Sequence, residues 1–427
     1  MYGTIQKRIL KLVPYREALK KIQALPVNLS YETVSLERAV GRVLAEDVTS
    51  KLDIPQTDRS LVDGYALKSV DTLNASSKNP VMLRVVGKLY PSSPPTECSI
   101  LTKQTAYVTC GAPIPRGADS VIKIENTVPH NGEIEIRHVI KAGENVAQAG
   151  EDVRVGSLAL KIGEVLRPQD VGFLAGIGLK AVKVFKKPRV AIISTGDELF
   201  ELSKLDSSGI VDNYALIVSS LISELGGVAI RLGIAPDELS EIKKKIDEAL
   251  QEADIIVTIG GCSVGEKDLV PDAIDSFGKP GIIVHGIRVK PGRVTGFGVI
   301  RGKPIVMLPG LIASTLAGFY LILAPLVSLY RGLNVGDGFP IISAKMNRDL
   351  EADNSSLWRF LTIYVRWVNS AFIAEPILGG ASSLSRFVKS NGFILLPPKK
   401  ALEKGEEVNV TMFSNEEFNR LIRMRAQ

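Results

Sequence analysis

The sequence predicts a multidomain α/β plus β protein: a central three-layer α/β domain on a parallel sheet, an inserted β domain, a helical and extended linker domain, and a C-terminal β-barrel. Three observations carry that prediction. Residues 190–193 and 255–259 are short β-branched apolar runs of the kind buried on both faces of a parallel sheet, and helical patterns separate them. Residues 81–140 break into short alternating strands, "MLRVVGKLY", "TAYVTCGAPIP", "SVIKIE" and "EIEIRHVI", punctuated by proline and glycine. After residue 336 the helical pattern ends, and "FPIISAKM", "WRFLTIYVRWV", "AFIAEPIL", "FILLPP" and "EEVNVTMF" read as the strands of a small β structure.

At 427 residues the chain is too long for one core. Its 52 basic and 46 acidic residues leave a net charge of +6, dispersed rather than run together. That excludes a nucleic-acid stripe and suits an anionic small molecule. Three widely spaced cysteines, Cys98, Cys110 and Cys262, and no signal-peptide pattern in residues 1–12 predict a reducing cytoplasm without a disulfide frame or a zinc site. Residues 304–330 carry no charge, long enough for a membrane span. Pro309-Gly310 and Pro325 interrupt them, so the reading is a buried strand, a turn at "LPG" and a buried helix from about Ala313, with no membrane.

In chain order, residues 14–25 read as an amphipathic helix with Ala18, Leu19, Ile22 and Leu25 on one face. Residues 36–48, "LERAVGRVLAEDV", read as a second helix. "VDGYA" within 51–66 reads as a tight turn entering a strand. A glycine-marked return and an apolar helix near 168–176 continue the first region. The boundaries follow: 1–52 with 149–186, the insertion 53–148, the α/β domain 187–334 and the barrel 335–427. Within the α/β domain, helices are predicted at 213–225 and 237–251, the second N-capped by Asp237. The strand "GIIVHGI", the loop "VKPGRVTGFG" and the strand "PIVML" complete a parallel alternation. In the barrel, Asn391-Gly392 and Lys404-Gly405 read as turns.

The two β-branched runs end in Thr195-Gly196-Asp197-Glu198 and in Gly260-Gly261-Cys262-Ser263-Val264-Gly265, loops at the carboxyl ends of parallel strands. Open α/β sheets bind ligands there. The glycines admit backbone N–H groups to an anion, while Asp197, Glu198, Glu266 and Asp268 argue against a purely anionic guest. A divalent metal reconciles the two.

Ten segments in order, "LERAVGRVLAEDV", "DRSLVDGYA", "CGAPIPRGADSVIKIE", "AGEDVRVG", "RVAIISTGDEL", "VDNYAL", "IVTIGGCSVGEKD", "VKPGR", "VMLPG" and "NGFILLPP", resemble the MoeA and gephyrin E-domain family of molybdopterin molybdenumtransferases. The resemblance implies an L-shaped homodimer of four-domain chains, the α/β domain being the molybdopterin-binding one. It implies insertion of molybdate into adenylylated molybdopterin with release of AMP. By motif it assigns a catalytic set of Asp63, Asp152, Glu198, Asp237 and Asp268, with Asp63 and Asp152 supplied across the dimer, and Mg2+ held by Glu198 and Asp268. Substrate-binding residues are Thr195, Gly196, Asp197, Gly260, Gly261, Ser263, Gly265, Lys290, Arg293, Pro309 and Gly310. Lys290 and Arg293, with Arg288 a further candidate, meet the molybdate dianion.

The chain departs from the family pattern where Cys110 replaces Thr of "TGAP", where Leu311-Ile312 replaces Asn-Pro after "LPG", and where Ala381 replaces Ser. A tungstate-inserting variant therefore stays open. So do a molybdopterin adenylyltransferase, which matches the central module alone and is also a candidate upstream partner, and a non-catalytic scaffold.

Overall fold

A computed structural model describes residues 10–204, 208–336 and 338–426. The chain divides into two compact units, Met1–Tyr31 with Phe185–Gln427, and Glu32–Val184.

The larger unit holds a six-stranded sheet: β1 (Arg189–Thr195), β2 (Val228–Ala235), β3 (Ile255–Ile259), β4 (Gly281–His285), β5 (Gly296–Ile300) and β6 (Lys303–Leu308), in the order β2-β1-β3-β6-β5-β4. The first four in that order are parallel, and β5 is antiparallel to both its neighbours, β6 and β4. The all-parallel alternation expected from sequence thus covers four strands. β5 lies in what the sequence reads as loop, because its two glycines hide the strand; Arg301-Gly302, both at positive φ, closes a two-residue hairpin to β6 that only antiparallel strands can share.

β1 and β3 are buried throughout. Val190, Ile192, Ile255, Val257 and Ile259 face one core, and Ala191, Ile193 and Ile256 the other. Helices Tyr15–Gln23, Asn213–Glu224 and the apolar stretch Ile312–Tyr330 cover the first face; Leu239–Glu252 and Val270–Asp275 cover the second. Three layers result. The helix Tyr15–Gln23, grouped from sequence with the N-terminal region, contributes Ala18 and Ile22 to this core.

Ile312–Tyr330 is long and apolar enough to cross a membrane, yet it is buried inside this unit. It widens to a π-turn at Phe319–Leu323, just before Pro325, which has no N–H to give the preceding turn. Tyr320 in that turn packs edge-on or tilted against Phe319, Phe339, Phe393 and Phe413, with centroids 5.0 to 5.3 Å apart. The aromatic cluster welds the α/β module to the barrel.

The barrel closes through five strands, β7 (Ile341–Met346), β8 (Trp358–Val368), β9 (Ala371–Pro376), β10 (Gly392–Leu396) and β11 (Glu407–Met412), in the cycle β8-β9-β7-β11-β10-β8. A short strand from the α/β module, Val289–Lys290, adds to β8 at Trp358 and Arg359. Asn391-Gly392 is not a turn. Asn391 is buried and its side-chain amide brackets Val365, accepting its N–H at 2.7 Å and donating to its carbonyl at 2.8 Å. A helix, Asn415–Ala426, also follows the barrel; its charge hides the pattern, although Leu421 is buried against the strands.

In the smaller unit, a six-stranded sheet spans Gly64–Leu67, Val81–Leu89, Gln104–Val108, Ser120–Lys123, Thr127–His130 and Glu133–Ile136. A separate cluster of Leu36, Leu44, Val48, Leu166, Leu174 and Ile177 forms around the helix Pro168–Gly176. The helix expected over 36–48 is absent: only Leu36–Arg38 turns, and Val43 and Leu44 instead bridge to Val165 and Val184. The same apolar positions are buried by extended pairing, which outweighs a propensity already weakened by the interior Gly41.

Gly64 of the "DGYA" segment leaves no room for a side chain, since a Cβ there would overlap the carbonyl of Ile122 on the neighbouring strand. Gly64→Ala is therefore expected to cost about 1–3 kcal/mol, read as an earlier denaturant midpoint; an unchanged midpoint would show that the strand pair yields freely.

Candidate active site

The site begins where β1, β2 and β3 end side by side. Gly260 and Gly261 follow β3 at positive φ, and a Cβ on either would come within 2.7 to 2.8 Å of Thr195 oxygens. Only glycine lets the two strand-end loops approach so closely. Beyond them lies a pocket of about 1050 Å³, the size of a site for a nucleotide-sized ligand.

Thr195, Gly196, Glu198, Asp237, Gly260, Gly261, Ser263, Gly265, Asp268, Lys290, Arg293, Pro309 and Gly310 all line this pocket. Asp197, assigned from sequence to substrate, does not line it. Its Oδ1 accepts the N–H of Asp237 at 3.0 Å and its Oδ2 the ammonium of Lys267 at 2.9 Å, and these contacts hold its carboxyl below the usual range. Asp237 is not the cap of its helix either: Glu238 occupies that position, leaving the Asp237 carboxylate on the pocket wall. Burial, then the charges of Asp197 and Glu198, push its pKa up.

Asp268 closes its own loop, with Oδ1 accepting the N–H of Ser263 at 2.9 Å and Oδ2 that of Gly265 at 2.7 Å. The Gly196 N–H goes to the Ala235 carbonyl and that of Gly260 to Leu308. These four amides, available to an anion by sequence, are spent within the protein. Cys262 points inward, and burial drives its thiol up to about 12.

Lys290 stands on the strand joined to the barrel and lies 3.5 Å from Asp353. Arg293 is exposed. Arg288 is not among the lining residues, and Arg359 spends its terminal nitrogens on the Glu351 and Lys400 carbonyls. Leu311, half exposed, presents its apolar side chain to the pocket.

Asp63 and Asp152 belong to the smaller unit and are exposed there. Asp63 Oδ1 accepts the N–H of Cys110 at 2.7 Å, and the Asp152 N–H donates to Ile54. The main-chain amide of residue 110 thus serves Asp63 whether its side chain carries a hydroxyl or a thiol.

Sequence reasoning passed over Lys267, Asp212, Tyr214, Leu357 and Ser382, which also line the pocket. Asp212 had a legible signal as the cap of Asn213–Glu224, where it accepts the Ala215 N–H at 3.3 Å. Leu357 had none.

Among the described residues no group of three or more His, Cys, Asp and Glu side chains is arranged to hold a metal. Glu198 and Asp268 nonetheless fit Mg2+, which needs only one or two carboxylates when phosphate and water complete its shell; each Asp268 oxygen keeps a lone pair beyond its amide bond.

An open α/β sheet with a pocket at its carboxyl edge, fused to a closed barrel, places the chain among α/β proteins whose ligand site lies at that edge. Residues 13–178 match the MoeA N-terminal region (domain I and II), residues 191–328 a probable molybdopterin binding domain, and residues 352–413 the MoeA C-terminal region (domain IV). The chain is 31% identical over 400 residues to a molybdopterin molybdenumtransferase of Haemophilus influenzae, covering 93% of this chain and 97% of that one. It is 30% identical to that of Bacillus subtilis, covering 95% of each. A solved MoeA protein of molybdopterin biosynthesis from Pyrococcus horikoshii superposes with a TM-score of 0.80 at 32% identity, covering 94% of this chain and all of that one. The chain belongs to the MoeA family of molybdopterin molybdenumtransferases.

Proposed function

We propose that this chain inserts molybdate into adenylylated molybdopterin and releases AMP, giving the molybdenum cofactor. The observation that carries the reading is one pocket lined both by the carboxylates Glu198, Asp237 and Asp268 and by the cations Lys290 and Arg293. A substrate holding a phosphoanhydride and a co-substrate that is a dianion require both.

Cleavage of the phosphate–AMP link uses water, whose oxygen joins phosphorus as AMP leaves. Asp237 is the group to take the water's proton, because burial makes its carboxylate a stronger base. Glu198 and Asp268 would hold Mg2+, which supplies charge neutralisation on the phosphates. Lys290 and Arg293 orient the oxyanion. Asp63 and Asp152 enter the catalytic set by motif. The four-domain division with boundaries near residues 53, 149, 187 and 335 is retained, with a molybdopterin adenylyltransferase as the upstream source of substrate. A cytoplasmic setting suits Cys98, Cys110 and Cys262, all free thiols.

Incubation with adenylylated molybdopterin, magnesium and either molybdate or tungstate, with assay of AMP and of active cofactor, tests the reading. AMP and cofactor formed with tungstate alone would transfer it to the tungstate-inserting form. No AMP with either would remove it.

The working form is a homodimer. Exposed apolar side chains at Val155, Leu158, Ile162 and Val165 on the smaller unit support association, and an obligate interface should bury more than ~2,000 Å². Light scattering at micromolar concentration should give twice the chain mass; a monomer would overturn it.

A further inference from the structure

Several of the loop amides at the pocket are consumed internally. Asp268 takes those of Ser263 and Gly265, and in the helix Ile312–Gly318 that follows "LPG" the second amide, that of Ala313, donates to the Ala381 carbonyl at 3.0 Å. A phosphate entering this pocket can be met by the side-chain cations of its lining. Those that line it, among the described residues, are Lys267, Lys290 and Arg293.

These cations are anchored to different elements. Lys290 sits on the strand added to barrel strand β8 and faces Asp353. Lys267 is drawn instead toward β1, where Asp197 takes its ammonium at 2.9 Å. Asp197 follows the middle of three adjacent strands and reaches both neighbours' loops: Asp237 after β2 through its backbone N–H, and Lys267 after β3 through its charge. One carboxylate thereby spaces the loops that carry Asp237 and Asp268.

We propose that Lys267 contacts the nucleotide phosphate, and that Asp197 is the positioning residue that keeps Lys267 over the pocket and Asp237 on its wall. The assignment rests on the transferase reading for the identity of the nucleotide. Lys267 is 73% exposed and Asp197 52%, so their ion pair is solvated and holds little energy. A phosphate can take the ammonium at small cost, while the Asp197 bond to the Asp237 N–H stays in place. A lysine serving only as a solvated surface charge would leave nucleotide affinity untouched, and that difference is measurable.

The test is calorimetric titration of the full-length protein with AMP in the presence of magnesium, beside AMP release from adenylylated molybdopterin. Lys267→Gln should weaken AMP binding about fivefold or more, and Lys267→Arg should restore most of it, since a phosphate accepts either cation. Asp197→Asn keeps an oxygen for the Asp237 N–H but frees Lys267, so it should raise KM with little change in kcat. Asp197→Ala loses both contacts and should lower kcat as well. Equal AMP affinity in parent and Lys267→Gln, or no AMP binding by the parent, overturns the proposal. So does a fall in kcat as large for Asp197→Asn as for Asp197→Ala. A protein that binds AMP through Lys267 but releases none from adenylylated molybdopterin would sink the transferase reading alone.

Discussion

Glu198→Ala should lower molybdate-dependent AMP release by about a hundredfold or more while leaving the denaturant midpoint where it is, and Asp268→Ala should lose comparable activity together with stability. The sequence treats the two carboxylates alike, as strand-end loop groups assigned to one metal. The structure separates them. Glu198 is exposed and makes no side-chain hydrogen bond among the described residues; its carboxylate folds back over Gly196, 2.8 Å from where a Cβ would stand. Asp268 is half-buried and ties the N–H groups of Ser263 and Gly265 into its loop. Its removal strands two amides at a cost of about 1–3 kcal/mol and releases the loop from the pocket wall. Asp268→Asn retains one good acceptor and should regain part of the stability without the activity, because the charge is gone. Near-parental turnover in Glu198→Ala and Asp268→Asn would take both residues out of the mechanism.

The parts of the fold legible in the sequence are those in which local pattern and tertiary context agree. The strands at 190–193 and 255–259 are β-branched and buried on both faces, so composition alone marks them, and the glycines that end them place the pocket at the correct sheet edge. Disagreement appears where a pattern has two physical uses. The apolar positions of 36–48 suit a helical stripe and an extended bridge equally, and pairing with Val165 and Val184 decides. Glycines that announce a loop at 296–298 lie in a strand, because a Cβ at Gly296 or Gly298 would strike the backbone of β4. The cap read at Asp237 falls instead on Glu238, and that register of one residue leaves the Asp237 carboxylate on the pocket wall. Charge pairing across loops leaves the weakest trace of all. Asp197 and Lys267 stand 70 positions apart in "TGDE" and "GEKD", and nothing in either segment names the other.

A Lys290→Ala, Arg293→Ala double variant should need on the order of ten to a hundred times more molybdate for half-maximal metal insertion, as expected from two lost charge-assisted contacts. Its affinity for adenylylated molybdopterin should change little. The geometry makes Lys290 a prepared site: pairing with Trp358 and Arg359 fixes its backbone, while its side chain, 62% exposed, meets Asp353 at the long distance of 3.5 Å. Such a contact is readily exchanged for a dianion. Asp353 does not depend on it alone, since the Ser355 N–H is the first cause that holds its carboxyl below the usual range, ahead of Lys290. Arg293 is held by its loop, whose carbonyl at that position accepts the Ile287 N–H at 2.9 Å, and its guanidinium can bracket an oxyanion. Leu311 sharpens the expectation, for its apolar side chain lines the pocket where a polar one would share the load. Restoring that group by Leu311→Asn in the double variant should then recover part of the lost molybdate affinity. Unchanged half-saturation for molybdate and tungstate, with weakened pterin binding, would show that Lys290 and Arg293 read the pterin phosphate and that the oxyanion is held elsewhere.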